Sequence, residues 1–166
     1  MRLESACRNG TQICNSNLAS GVIAMSDEKY ILLIEDNEDD VKLTQMAFER
    51  CHVSNKLVVA YNGQEALDFL FGEGQYEGRD ISQKPAVILL DLKLPLISGQ
   101  EVLKQIRLNH RIARLPVVVV SSTTNMQEIE ECESLGMNRY FRKPMNFNQY
   151  KKIIDEIRRS WLGNNH

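Results

Sequence analysis

The sequence predicts an α/β fold: a doubly wound, five-stranded parallel sheet with helices on both faces. Short apolar runs alternate with helix-period stretches five times from Tyr30 onward, the pattern of repeated βα units. The first, third and fourth runs are apolar at almost every position, so both faces of those strands need cover, which a parallel sheet between helices provides. At 166 residues, 43% hydrophobic and 25% charged, the chain has material for one core of ordinary size.

The elements follow in order. Tyr30–Ile34 is the first strand, and a helix runs from about Glu38 to Cys51 with Val41, Leu43, Ala47, Phe48 and Cys51 toward the core. Lys56–Ala60 is the second strand. Asn62 caps the helix that reaches about Phe71, with Glu65 at the capping-box position. Residues Gly72 to Lys84 hold three glycines and mixed charges and read as a surface loop longer than the usual ~4–6 residue connection. Ala86–Leu90 is the third strand. Ser98 and Glu101 form a second capping box, and Val102, Leu103 and Ile106 give that helix its apolar stripe. Val117–Val120 is the fourth strand after Pro116. The next helix starts near Asn125, turns Met126, Ile129, Cys132 and Leu135 inward, and stops at Gly136. Arg139–Arg142 is a short fifth strand, and a last helix spans about Phe147 to Trp161.

Residues 1–27 are rich in Asn, Ser, Gly and Ala, lack a periodic apolar pattern, and read as a disordered leader. Arg2 is not followed by the apolar stretch of a secretory signal. Met25 opens the run Met-Ser-Asp-Glu-Lys and is either an alternative start or an internal methionine. The folded domain is expected over residues 28–162, with 163–166 as a tail. A net charge of −2 gives no general pull toward nucleic acid or anionic membranes. No apolar run approaches the ~20 residues of a membrane helix. Cys7, Cys14, Cys51 and Cys132 form no Cys-x-x-Cys pair. Cys51 and Cys132 fall in helical stripes as small apolar side chains, and a reducing cytoplasm fits this usage.

Ligands of open parallel sheets bind beyond the carboxyl ends of the strands, so the chemistry is sought there. Strand one ends in Glu35-Asp36-Asn37-Glu38-Asp39-Asp40, five carboxylates in six positions. Glu38, Asp39 and Asp40 are explained by the dipole of the following helix. Glu35 and Asp36 lie earlier, at the crevice, where a carboxylate pair suits a hard, oxygen-liganded cation. Asp91 follows five apolar residues at the end of strand three. Alone it could be a turn-forming Asp; with Asp36 it can share Mg²⁺. Strand four ends in Ser121, whose hydroxyl can donate to a phosphoryl oxygen or cap the next helix. Strand five leads into Lys143-Pro144; the ammonium can offset the acidic cluster and bind phosphate, and the X-Pro bond is compatible with a cis form that aims it.

This set (an acidic pair, an Asp, a Ser and a Lys-Pro at the ends of strands one, three, four and five) resembles the receiver domain of bacterial response regulators over about residues 29 to 162. The resemblance implies flavodoxin-like strand order 2-1-3-4-5 and a phosphorelay switch. Asp91 would be the phosphoacceptor, Asp36 a direct Mg²⁺ ligand, Glu35 a ligand through water, and Lys93 a ligand through its backbone carbonyl. Ser121 and Lys143 would hold the phosphoryl group, Ser121 and Tyr140 would switch, and Lys93 and Thr123 would tune signal lifetime unless they are plain loop residues. The donor would be a phosphohistidine on a sensor histidine kinase or histidine phosphotransfer protein. The long Gly72–Lys84 connection and the stretch Gly-Arg-Asp-Ile-Ser-Gln-Lys-Pro look like the single-domain subgroup serving phytochrome-type kinases. Trp161 stands five residues from the end, so the expected readout is a protein contact, a self-dimer included, rather than an attached output domain. The resemblance implies a switch that catalyses its own phosphorylation and dephosphorylation, not a stand-alone enzyme. A haloacid-dehalogenase-like phosphohydrolase needs an acid two residues after its nucleophile, where Lys93 stands. A flavodoxin-like cofactor binder needs a phosphate loop where this chain is acidic. A receiver-like scaffold that takes no phosphate is the alternative the residues leave open.

Overall fold

The computed structural model describes residues 29–163; the expected leader over 1–27, with Cys7, Cys14 and Met25, lies outside them, as does all of the tail but Gly163. Five strands, β1 (Ile31–Ile34), β2 (Leu57–Ala60), β3 (Val87–Leu90), β4 (Val117–Ser121) and β5 (Arg139–Arg142), alternate with five helices, α1 (Glu38–Arg50), α2 (Gly63–Phe71), α3 (Gly99–Leu108), α4 (Met126–Ser134) and α5 (Phe147–Ile157). The sheet is parallel throughout, in the order β2-β1-β3-β4-β5, as expected.

The period of two along each strand divides the core into two layers. Leu32, Ile34, Ile88, Leu90, Val117 and Val119 pack against Ala66, Leu67, Leu103 and Ile106 of α2 and α3. Ile31, Leu33, Val87, Leu89, Val118 and Val120 pack against Val41, Ala47, Phe48, Ile154 and Ile157 of α1 and α5. Each helix starts on a polar cap: Asn37, Asn62, Ser98, Asn125 and Asn146 all accept a hydrogen bond from a backbone N–H of the first turn, each worth about 0.5–2 kcal/mol over alanine. α4 ends where Gly136, at φ 87°, lets Met137 N–H reach back to the Cys132 carbonyl.

Four local expectations need correction. Glu65 is not the reciprocal half of a capping box: it is buried, accepts from Tyr61 N–H at 2.8 Å and from the Tyr76 hydroxyl at 2.9 Å, so the long loop draws it away from the cap. Glu101 turns to Gln105 and Lys104 one helical turn on. Of the inward face expected for α4 only Cys132 is fully buried, and Met126 is 63% exposed. A helical side chain leans toward the N-terminus, and at the first position no turn lies beneath it. The last helix is α-helical only to Ile157 and widens into a π-helical turn over Arg158–Leu162.

The Gly72–Lys84 connection carries a 3₁₀ turn at Gly74–Tyr76. Arg79 clasps it to the sheet: its guanidinium lies 3.9 Å from the centre of the Phe69 ring and donates to the Tyr30 hydroxyl at 2.7 Å.

Candidate active site

The site lies at the carboxyl ends of β1, β3, β4 and β5. Glu35 and Asp36 follow β1 directly, and Asp91 follows β3, its N–H bonded to the Ile34 carbonyl at 3.1 Å. Because β1 and β3 are neighbours in register, one turn past their ends places the three carboxylates together. One oxygen from each of Glu35, Asp36 and Asp91 lies within 4.8 Å of the others. Glu35 and Asp91 are buried, at 3% and 5% exposure, and Asp36 faces solvent.

Lys143 enters this cluster from β5. Its Nζ is 2.7 Å from Glu35 Oε2, 2.8 Å from Asp91 Oδ2 and 2.8 Å from Asp40 Oδ2. The Lys143–Pro144 bond is trans, as are all peptide bonds among the described residues. The ladder to β4, in which Lys143 N–H donates to the Ser121 carbonyl at 2.9 Å, aims the lysine without a cis bond. Asp40, assigned from sequence only to the helix dipole, is therefore part of the site. Nothing in the acidic run marks it out from Asp39; the rotation of α1 does.

Burial raises the Glu35 carboxyl to about 7, with hydrogen bonding and charge from Lys143 pulling the other way. For Lys143, burial acts to lower the ammonium's pKa, and hydrogen bonds to Asp40, Asp91 and Glu35 outweigh it, so the group stays above its ordinary value. Three hard oxygen donors at one crevice, two of them buried, fit a divalent cation of the Mg²⁺ type. The donor set contains no thiolate or imidazole that would favour a softer metal.

Lys93 donates its N–H to Asp91 Oδ1 at 3.1 Å while its side chain is exposed. Gly99 is a feature that sequence reasoning missed: a Cβ there would land on the Asp91 carbonyl oxygen and 2.6 Å from Leu92 Cα, so only glycine lets α3 start this close to Asp91.

Ser121 is fully buried at the end of β4, and its Oγ accepts from Thr123 N–H at 3.4 Å. Tyr140 is half-buried on β5 and donates its hydroxyl to the Thr123 carbonyl at 2.6 Å. Thr123 is not a solvent-facing loop residue: it is 4% exposed, with its hydroxyl on Glu128 Oε2 at 2.6 Å.

No described helix is long and apolar enough to cross a membrane. The probable methanogenesis regulatory protein FilR2 of Methanothrix harundinacea is 37% identical over 143 residues, covering 86% of this chain and 89% of that protein. Response regulator Rcp1 of Synechocystis is 36% identical over 142 residues, covering 83% of this chain and 95% of that protein; the structure of its Mn²⁺-bound form superposes with a TM-score of 0.74 at 33% identity, covering 83% and 97%. The phosphorylated cyanobacterial phytochrome response regulator RcpA gives a TM-score of 0.74 at 37% identity, covering 81% of this chain and 94% of that one. The sequence profile of the response regulator receiver domain matches residues 31–155, and the chain belongs to that family, the phosphoacceptor partners of histidine kinases in two-component signalling.

Proposed function

We propose that Asp91 is the residue that takes the phosphoryl group, with Mg²⁺ held by Asp36 and Asp91 directly, by the Lys93 carbonyl, and by Glu35 through water. The observation that carries this reading is the convergence of Glu35, Asp36 and Asp91 oxygens within 4.8 Å of one another, with the Lys143 ammonium on Glu35 and Asp91. The donor is a phosphohistidine on a sensor histidine kinase or histidine phosphotransfer protein. Likeness to RcpA, a cyanobacterial phytochrome response regulator, favours a phytochrome-type kinase as the source. The switch domain, expected over 28–162 and described from Lys29, works in the cytoplasm, and its readout is a protein contact, a homodimer included.

The Asp91 carboxylate attacks phosphorus in line, the P–N bond to the donor histidine breaks, and an acyl phosphate forms. Mg²⁺, when bound, offsets the charge shared by the carboxylate and phosphoryl oxygens. Lys143 holds a further phosphoryl oxygen, for which it gives up its contact with Asp91 Oδ2. Ser121 turns its hydroxyl from Thr123 N–H to the phosphoryl group, and Tyr140 moves inward behind it. The backbone fixes these groups in advance, so the protein supplies position and preset charge more than covalent chemistry.

The test is labelling of the purified protein with acetyl phosphate, with and without Mg²⁺, read by intact mass and repeated on Asp91→Asn. The expected result is a Mg²⁺-dependent gain of one phosphoryl group that the variant lacks. No gain under conditions that label another receiver would refute the phosphoacceptor reading and leave a phosphate-independent scaffold.

A further inference from the structure

The segment that follows β4 is tied down more heavily than a switch hydroxyl requires. Thr123 is the centre of the ties. Its carbonyl accepts from the Tyr140 hydroxyl at 2.6 Å, and its N–H donates to Ser121 Oγ at 3.4 Å. Its own hydroxyl donates to Glu128 Oε2 at 2.6 Å and accepts from Asn125 N–H at 3.3 Å. Glu128 sits in the first turn of α4, and its other oxygen accepts from Asn125 Nδ2 at 3.4 Å. A hydroxyl on a carboxylate at this distance is a charge-assisted bond, among the stronger kinds in proteins, and Thr123 is almost wholly shielded from water.

We propose that Glu128 is a positioning residue for the phosphoryl switch: its carboxylate latches Thr123 and so holds the Ser121–Thr123 segment in the unphosphorylated arrangement. This rests on Asp91 being the phosphoacceptor. In this proposal the Ser121 hydroxyl turns toward a group on Asp91 away from Thr123 N–H, whose bond to it is already long at 3.4 Å, and the peptide between them shifts with it. The Tyr140 bond and the Glu128 bond both oppose that shift, one through the carbonyl of Thr123 and the other through its side chain. The Tyr140 tie links the loop to β5; the Glu128 tie links it to α4, so phosphorylation at Asp91 and the seating of the first turn of α4 become one equilibrium. An interaction made in one state only biases that equilibrium by its own strength. Coupling of this kind is reciprocal: a partner that pins α4 opposes switching, and a phosphoryl group loosens the α4 N-terminus.

The experiment measures beryllofluoride affinity, as a phosphoryl stand-in, and the acyl-phosphate half-life, in the full chain with Mg²⁺. The variants are Glu128→Ala, Glu128→Gln, Thr123→Val, Thr123→Ser and the double variant Thr123→Val/Glu128→Ala. Loss of the latch is expected to tighten beryllofluoride binding about tenfold to a hundredfold and to lengthen the half-life in the same direction, the range set by one charge-assisted bond. Glu128→Gln, which keeps an acceptor oxygen, is expected in between; Thr123→Ser, which keeps the hydroxyl, is expected to match the parent. The double variant is expected to go no further than either single one, because both remove the same bond. Melting temperatures measured alongside separate this from general loosening. If the parent binds beryllofluoride and Glu128→Ala and Thr123→Val bind within twofold of it, or more weakly, the latch is refuted while the phosphoacceptor reading stands. If the parent itself does not bind, both fall.

Discussion

Replacing Lys143 by methionine tests how the acidic crevice is held together before any cation arrives. The substitution keeps the aliphatic stem and removes the charge. It leaves Glu35 and Asp91, whose side chains are each 5% exposed, facing each other without the ammonium that now sits 2.7 and 2.8 Å from them. At an effective dielectric of about 20, each contact at this range carries roughly 4–6 kcal/mol of Coulomb attraction. Much of that is offset by desolvation of the ions, and removing one member of a buried pair costs about 3–5 kcal/mol net. Asp40, at 32% exposure, adds little because solvent screens it. A loss of about 3–5 kcal/mol is therefore expected for Lys143→Met by urea denaturation in EDTA at about pH 8. The loss carries a pH signature. The folded-state pKa of Glu35 lies near 7 because burial raises it, so its neutral form favours the fold below its unfolded value, and that contribution fades as pH rises through about 7. Lys143 limits the fading by stabilising the ionised form. At about pH 5 Glu35 is protonated in parent and variant alike, and the difference between them shrinks. Millimolar Mg²⁺ at about pH 8 is expected to restore more stability to the variant than to the parent, since it supplies the missing positive charge. A variant as stable as the parent in EDTA at about pH 8, or one equally destabilised at both pH values, would refute this account of the crevice.

Two further predictions follow from the same geometry. Mg²⁺ affinity, measured by calorimetry, is expected to rise about tenfold between roughly pH 6 and pH 8, because Glu35 with a carboxyl near 7 must lose its proton to serve the cation; a flat profile over that range contradicts it. Gly99→Ala is expected to lose about 2–3 kcal/mol in urea denaturation and to label poorly with acetyl phosphate, because the new methyl meets the backbone of Asp91 and Leu92 rather than a side chain that can step aside; a stable, fully labelled variant contradicts it.

The centre of the sheet was legible because β1, β3 and β4 are short, nearly unbroken apolar runs, buried at every position, and runs of that kind need cover on both faces. Asp91 and Ser121 were legible for a related reason: polar groups at the ends of such runs sit where a parallel sheet opens its crevice, and Asp36 and Lys143 stand at the ends of the first and fifth strands. What stayed hidden depends on rotation and on loop packing. Asp40 reaches Lys143 and Asp39 does not, a difference of one residue on a helix whose phase the sequence gives only approximately. Glu65 fits the capping pattern in sequence, yet its carboxylate is claimed by Tyr61 N–H and by Tyr76 from a loop 11 residues away. Thr123 is legible only as a lifetime-tuning position or a plain loop residue, and nothing in the sequence shows that Glu128 and Tyr140 close over it. The Lys143–Pro144 pair is compatible in sequence with a cis bond, whereas the bond is trans and Lys143 is held by its N–H on the Ser121 carbonyl.

Burial is unevenly shared across the sheet. Every residue of β1, β3 and β4 is buried, while β5 has none buried and α4 has only Cys132. Amide protons in a protein exchange with solvent at rates that report the free energy of local opening, and that free energy follows the apolar contacts a segment makes. The central strands should open only with the whole domain, whereas α4 and β5 should open far more often, as a smaller cooperative unit of their own. Tyr140, Glu128 and the ties on Thr123 belong to that weaker unit, and Glu35 and Asp91 to the rigid one. Glu35 and Asp91 thus sit on the part that does not yield, while Lys143, which follows β5, reaches them from the part that does, so the crevice is held together across the boundary between the two units.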